Sequence, residues 1–95
     1  MRTWGLISMY DLKYTKEFER GLKKLSKEEQ KTTFNKLKIL VQNPFYPSLR
    51  TKKVQGFSDL FEMSVNMDVR ILWRYDNGTI ILLLEIGHHK DILGV

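Results

Sequence analysis

Hydrophobic and polar side chains alternate along the second half of the chain, as they do in strands that bury one face. The apolar members of this alternation are Phe61, Met63, Val65, Val69, Ile71, Trp73 and Tyr75. The following run, Thr79 to Ile86, is apolar almost throughout, which is typical of a strand covered on both faces near the middle of a sheet. With a turn at Asp76-Asn77-Gly78, the pattern predicts three consecutive antiparallel strands whose polar face carries charge.

The first half of the chain predicts a short strand followed by a helix. Met9 to Tyr14 roughly alternates apolar and polar residues, so we expect a strand there. Thr15 can then cap a helix, since its hydroxyl can accept a backbone N–H of the first turn. The apolar face of that helix has the spacing i, i+4 and i+7 and consists of Phe18, Leu22 and Leu25.

A second helix begins at Ser26-Lys27-Glu28-Glu29. This is a capping box, in which the Ser26 and Glu29 side chains each accept the other residue's backbone amide. Its apolar positions keep helical spacing and are Phe34, Leu37, Leu40 and Val41. Asn43-Pro44 ends the helix because proline disfavours helical geometry in the residue before it.

Together these elements predict an α+β fold in the order β-α-α-β-β-β, a small antiparallel sheet with the N-terminal helical hairpin packed on one face. A chain of 95 residues suffices for one modest core. We therefore expect a single domain over residues 9–95. Residues 1–8 are expected to be a poorly ordered leader, and Met9 offers a second possible start.

Composition narrows the function classes. The chain has no cysteine, which excludes disulfides and thiolate chemistry, and its longest apolar run is far too short to span a membrane. We see no phosphate-binding glycine loop, zinc-protease motif or serine-centred elbow. A net charge of +5 and a pI near 9.6 favour acidic or polyanionic partners.

Several motifs, in this order, resemble the RelE/ParE superfamily of bacterial type II toxins. They are a loop of the form N-P-x-x-P-S-L (Asn43 to Leu49), a K-K-x-x-G segment (Lys52 to Gly56), a stretch resembling L-F-E followed by D-x-R-I-L-W (Leu60 to Trp73), and a closing G-H-H-K-D-I (Gly87 to Ile92). The resemblance covers Met9 to Ile92, and the ending is most similar to the YafQ-like branch.

The resemblance implies a small cytoplasmic toxin that enters the ribosomal A site and cuts messenger RNA without a metal ion or other cofactor. Its implied partners are the ribosome, the mRNA and a cognate antitoxin that holds it inactive. Cutting RNA in this way requires activation of a 2′-hydroxyl, stabilisation of the phosphorane and protonation of the departing 5′-oxygen.

The resemblance also assigns roles. His89 matches the catalytic histidine, Arg70 a phosphate-binding arginine and Asp68 an acidic site residue, whereas Val69 replaces the family's tryptophan. Each has a structural alternative: a surface histidine for His89, an ion pair with Glu62 or Glu85 for Arg70, and a strand turn for Asp68. We expect Arg70 and His89 to meet on the polar face.

Further candidates could bind RNA. Lys52 and Lys53 are expected at the edge of the site and would hold phosphates, or else form a solvated pair. His88 is a weaker candidate than His89, since neighbours on an extended segment point to opposite sides. Arg74 shares the polar face with Arg70, and an ion pair with a glutamate is its alternative role.

Two other functions compete with the nuclease. One is a ParE-like protein that poisons DNA gyrase by binding, without nuclease chemistry. The other is a degenerate toxin that only binds its antitoxin. The histidine-bearing ending and Arg70 favour the nuclease.

Overall fold

The computed structural model describes residues 9–90 and 92 of the chain. These residues contain five strands and two α-helices. In chain order they are β1 (Asp11–Tyr14), α1 (Lys16–Lys24), α2 (Lys27–Leu40), β2 (Lys52–Lys53), β3 (Phe61–Ser64), β4 (Val69–Asn77) and β5 (Ile80–His88), with a short 3-10 helix at Pro47–Leu49. The α+β class is confirmed. The leader predicted for residues 1–8 lies outside the described residues. Neither helix described here is long and apolar enough to cross a membrane.

Both predicted helix starts are confirmed by their hydrogen bonds. The Thr15 hydroxyl accepts the Phe18 amide at 3.0 Å. At the start of α2, the Ser26 hydroxyl accepts the Glu29 amide at 3.1 Å, and the Glu29 carboxylate accepts the Ser26 amide at 2.9 Å. These bonds satisfy amides that have no partner within the helix, and each such cap typically stabilises a helix by about 1 kcal/mol.

The sheet has the order β1-β5-β4-β3-β2. The predicted antiparallel array of β3, β4 and β5 is confirmed, with the turn narrowed to Gly78 and Thr79 because Asn77 pairs with Ile80. The sheet as a whole is mixed, since β1 runs parallel to β5. This direction follows from the connection to α1: Thr15 donates its amide to the Leu83 carbonyl and its hydroxyl to the Leu84 carbonyl, which fixes the helix start against β5.

A two-residue strand that the sequence does not predict closes the other edge of the sheet. In β2, Lys52 pairs with Glu62 and Lys53 with Phe61 of β3. We expected this segment ahead of the sheet, not within it. Two residues are too few to show an alternating pattern, so the pairing could not be read from the sequence.

The core lies between the helices and one face of the sheet. Trp73 is fully buried there and stacks on Phe61 with ring centroids 4.6 Å apart, as the sequence led us to expect for these two residues. On β5, Ile81 and Leu83 are buried whereas Leu82 is half-buried. The prediction that this strand is covered on both faces is therefore wrong, because α1 and α2 pack on one face only.

One helical position also differs from the prediction. Phe34, which we placed on the apolar face of α2, is 51% exposed, and Thr33 is buried instead. The buried line on α2 is Thr33, Leu37 and Leu40, at the spacing i, i+4 and i+7. The Thr33 hydroxyl donates to the Glu29 carbonyl at 2.8 Å, so its burial leaves no polar group unsatisfied.

Gly21 lets α1 approach β5 closely. A Cβ atom at this position would collide with the backbone carbonyl oxygen of Ile86 and would also crowd the Ile86 side chain. Glycine therefore sets the separation between α1 and β5.

Replacing Gly21 by alanine should destabilise the fold by about 1–3 kcal/mol, because α1 must move away from β5. In an unobstructed helix interior the same change would stabilise by up to about 1 kcal/mol. Urea unfolding followed by circular dichroism measures the difference. Gly78→Ala is the matched control, since a Cβ there meets nothing within 4 Å and Gly78 is not among the glycines with positive φ. A neutral or stabilising Gly21→Ala would contradict the close approach.

A contact between a histidine and a carboxylate joins the helical hairpin to the end of the sheet. The Nε2 atom of His88 lies 3.1 Å from a carboxylate oxygen of Glu29, at the start of α2. The backbone amide of Ser26, and secondly His88, lower the pKa of the Glu29 carboxyl below its ordinary value.

A pKa that is lower in the folded state stabilises the fold above the carboxyl's ordinary pKa of about 4.3, and this contribution is lost as the pH falls through the folded-state pKa. Glu29→Gln should therefore be less stable than the parent chain near neutral pH, and the difference should shrink in acid. Urea unfolding from about pH 7 down to about pH 3 measures this. Glu28→Gln, an exposed neighbour on the same turn, is the control. A stability difference that does not change with pH would contradict the assignment.

Candidate functional site

The loop between β3 and β4 is held in shape by Asn66. Its side-chain oxygen accepts the amides of Asp68 and Val69, both at 2.8 Å. The carbonyl of Asp68 in turn accepts the His89 amide at 2.6 Å. The loop and the histidine-bearing end of β5 are thereby fixed to one another. The connection to His89 runs through the backbone of Asp68, whose side chain is exposed.

A cleft of about 500 Å³ lies beside His89, at the edge of the sheet formed by β2. Its lining residues are Lys52, Lys53, Val54, Gln55, Phe57, Glu62 and His89. We call it the His89 cleft. It brings His89 together with both lysines that the sequence singles out. The Nδ1 atom of His89 is shielded from solvent and has no hydrogen-bond partner among the described residues.

Glu62 is a member of the cleft that sequence reasoning did not assign to the site. It is only 5% exposed, although a carboxylate is rarely buried unless it is paired. Its partner is the Lys52 ammonium, 3.6 Å away, on a side chain that is 72% exposed. The sequence does place Glu62 on the polar face, opposite to Phe61 and Met63. It does not reveal β2, which brings Lys52 across from it.

The Arg70 side chain is held by its own loop. Its Nη1 atom donates to the carbonyls of Asn66 at 2.7 Å, Met67 at 3.0 Å and Val69 at 3.3 Å. These bonds turn the side chain back over its own loop, where Arg70 lines a cavity of about 300 Å³. On the backbone, Arg70 pairs with Gly87, two residues before His89, and the meeting of the Arg70 and His89 side chains in one site stays a prediction. The alternation of side chains along a strand does not reveal that local carbonyls bind the guanidinium.

The two histidines separate as predicted. His88, the last residue of β5, faces α2 and pairs with Glu29, whereas the following His89 faces the cleft. Arg74 pairs across the sheet with Leu82 and lines neither the His89 cleft nor the cavity of Arg70. Among residues 9–90 and 92, no carboxylate forms an ion pair with Arg70 or Arg74. The alternative ion pairs with Glu62 or Glu85 are thus not found.

The His89 cleft combines groups for proton transfer with groups for anion binding. An imidazole and a carboxylate can each accept or donate a proton, and two ammonium groups can neutralise a phosphate. Among the described residues, no three histidine, aspartate or glutamate side chains lie close enough together to hold a metal ion. The side chains of the cleft can therefore carry out acid–base chemistry on an anionic substrate.

Solved structures of bacterial and archaeal toxins share this fold. RelE in the RelE–RelB complex of Pyrococcus horikoshii aligns with 87% of this chain and 98% of its own at 20% identity, with a TM-score of 0.73. YafQ of E. coli aligns with 90% of this chain and 99% of its own at 14% identity and a TM-score of 0.74. A chain of the RelBE2 complex of Mycobacterium tuberculosis aligns with 84% and 98%, at 23% identity and a TM-score of 0.69.

Comparison of the amino-acid sequence with family models identifies the protein family. No curated protein sequence matches the chain significantly. A family model described as the ParE toxin of the type II toxin–antitoxin system parDE matches residues 12–93, which is most of the chain. The resemblance to the RelE/ParE superfamily is therefore confirmed, and the chain belongs to the ParE toxin family of type II toxin–antitoxin systems.

Proposed function

We propose that this toxin is an endoribonuclease that cuts messenger RNA on the ribosome, without a metal ion, in the His89 cleft. The observation that carries the proposal is the meeting of His89, Glu62, Lys52 and Lys53 in one cleft. The fold shared with RelE and YafQ supports it further. A ribosome-dependent nuclease acts in the cytoplasm, so that location is part of the proposal.

The reaction assigns a role to each group. A base removes the proton of a ribose 2′-hydroxyl, the 2′-oxygen forms a bond to phosphorus, the bond from phosphorus to the 5′-oxygen breaks, and an acid protonates that oxygen. His89 and Glu62 are the two proton-transfer groups, with Glu62 as the base and His89 as the acid. Lys52 and Lys53 neutralise the charge that grows on the phosphorane.

Burial gives Glu62 a second effect. A carboxylate removed from water interacts strongly with a nearby cation, because the local dielectric is lower than that of the solvent. Glu62 therefore restrains the flexible Lys52 side chain, whose ammonium otherwise lies at an open surface. A phosphate entering the cleft meets a cation that is already positioned, which lowers the entropy cost of binding.

The proposed protein partner is a cognate antitoxin. Membership of a toxin–antitoxin family implies one, and the P. horikoshii RelE and E. coli YafQ folds have both been solved in complex with antitoxins, RelB and DinJ respectively.

The second candidate is a ParE-like toxin that inhibits DNA gyrase, and the match to the ParE family model favours it. An in-vitro translation reaction probed for mRNA breaks, run beside a gyrase supercoiling assay, separates the two. We expect mRNA breaks and unaffected supercoiling. Inhibited supercoiling with intact mRNA would replace our proposal by the gyrase candidate, and no effect in either assay would indicate a toxin that only binds its antitoxin.

His89→Ala should reduce mRNA cleavage by about 100- to 10,000-fold, the usual contribution of a positioned acid or base. The measurement is single-turnover cleavage of mRNA on programmed ribosomes. The matched control is His88→Ala, which removes the adjacent imidazole that pairs with Glu29 outside the cleft. The rate of bond cleavage should be retained in the control. Equal losses in both variants would point to the fold and not to the chemistry.

Glu62→Gln keeps the shape of the side chain and removes its charge. We expect a similar fall in cleavage rate, because the glutamine amide cannot accept the proton of the 2′-hydroxyl. Glu85→Gln is the control, since Glu85 lies in the same row across the sheet, beyond Leu72, but is exposed. An unchanged cleavage rate in Glu62→Gln would remove Glu62 from the proton transfers.

A further inference from the structure

We propose that two copies of this chain associate through β1, which pairs in antiparallel register with the β1 strand of a second copy. β1 forms one outer edge of the sheet and β2 the other, and within residues 9–90 and 92 no strand pairs with the outer side of β1. The His89 cleft lies at the β2 edge. The proposed association is therefore separate from the nuclease and does not depend on it.

The backbone of β1 has hydrogen-bonding groups that face outward. Asp11 and Thr15 donate their amides to carbonyls on the β5 side. In a strand, the amides and carbonyls of alternate residues point to opposite edges, so those of Leu12 and Tyr14 point away from β5. An edge of this kind can bind a strand from another molecule.

The charges on β1 favour one way of pairing the strand with itself. A twofold axis perpendicular to the sheet sets residues of like parity opposite each other, because directly opposite residues share a face. Two registers then pair three of the four residues of β1. The register centred on Lys13 sets two ammonium groups opposite each other, which destabilises a sheet. The register centred on Leu12 instead sets Asp11 opposite Lys13 of the second copy, once on each side of the axis.

Backbone hydrogen bonding agrees with the register centred on Leu12. In this register Leu12 lies directly opposite its counterpart in the second copy, and the amide and carbonyl of each point away from β5. Two such residues form the hydrogen-bonded pair of an antiparallel ladder, in which both backbone bonds are exchanged. The axis of the dimer therefore passes through a pair of hydrogen bonds.

Asp11 gains an ionic partner in this arrangement. Among the described residues, no cation forms an ion pair with Asp11. Lys13 lies on the same face of β1 and is held there by Asp76, whose carboxylate is 3.2 Å from the Lys13 ammonium. On pairing, each Lys13 lies between Asp76 of its own chain and Asp11 of the second copy. The second copy thus supplies a cation that is already positioned.

An apolar groove borders β1 on its other face. The groove has a volume of about 440 Å³, and Leu12 and Tyr14 line it together with Phe34 of α2. Tyr14 is 62% exposed and Phe34 is 51% exposed, so a single copy leaves this apolar surface in contact with water. Pairing through β1 sets the two Leu12 side chains side by side at the axis and joins the apolar surfaces of the two copies. Charge on one face and apolar contact on the other favour the same register.

Sedimentation equilibrium of the purified full chain, between about 5 and 500 μM, tests the association. A strand of four residues makes a small interface, so we expect a monomer of 11.3 kDa in reversible equilibrium with a dimer of twice that mass, with a Kd on the order of 10–100 μM. A chain that stays monomeric over the whole range would overturn the proposal and leave the β1 edge to a strand of another protein.

Charge reversal tests the register. Asp11→Lys sets two cations opposite each other and Lys13→Asp sets two anions opposite each other, so each variant should dimerise roughly 10-fold more weakly. An equimolar mixture of the two variants should dimerise again, because every pair across the axis then has opposite charges. Asp59→Lys is the matched control, since it makes the same change of charge in an exposed loop before β3, towards the other edge of the sheet.

Circular dichroism establishes that each variant is folded before its association is measured. Dimerisation that Asp11→Lys leaves unchanged would overturn the proposal. A mixture of the two folded variants that stays monomeric would overturn it as well. An equal loss in Asp59→Lys would do the same, since it would indicate an effect of net charge and not of pairing through β1.

A single introduced cysteine gives an independent measurement, because the chain has no cysteine of its own. Leu12→Cys places two thiols opposite each other at the axis, with Cα atoms about 5.5 Å apart, which a disulfide can bridge. Lys13→Cys is the control, since its two Cα atoms are diagonal neighbours about 7–8 Å apart. Mild oxidation should cross-link Leu12→Cys into a dimer on a non-reducing gel and leave Lys13→Cys monomeric. Any other pattern, including equal cross-linking of both, would contradict pairing centred on Leu12.

Discussion

The pairing of β5 with both of its neighbours is the interaction on which the rest of the structure depends. β1 lies along one edge in parallel and β4 along the other in antiparallel register. The same strand accepts Thr15 at the start of α1 and lies beneath Gly21. It then delivers His88 to α2 and His89 to the cleft. One strand therefore connects the first element of the fold, the helical layer and the candidate chemistry.

Much of this fold could be predicted because its strongest signals are local. The Ser26–Glu29 capping box and the Thr15 cap are defined within four residues. The alternation of apolar and polar side chains through β3 and β4 indicates directly which side chains are buried. The direction of β1 and the existence of β2 are long-range facts. Neither the direction of β1 nor the presence of β2 produces a periodic pattern of apolar residues. The sequence therefore predicted a sheet with one strand fewer and with antiparallel pairs throughout.

Only part of the candidate site could be predicted from the sequence, for a related reason. The choice of His89 and of the two lysines as site residues came from the resemblance to the toxin family. The burial of Glu62 and the capture of Arg70 by loop carbonyls depend on β2 and on the shape of the Asn66 loop. Parity assigns a side chain to a face, but a long side chain can fold back along that face. For arginine in particular, the position of Cα is a poor guide to the position of the charge.

The two lysines of β2 also act on the sheet as a whole. In the described part of the chain, β2 forms an outer edge, and an unpaired edge can recruit strands from other molecules. A strand of two residues, both exposed lysines, offers little to pair with and repels its own copies. The residues at the mouth of the His89 cleft thus also leave this edge of the sheet poorly suited to pairing with a strand of another molecule.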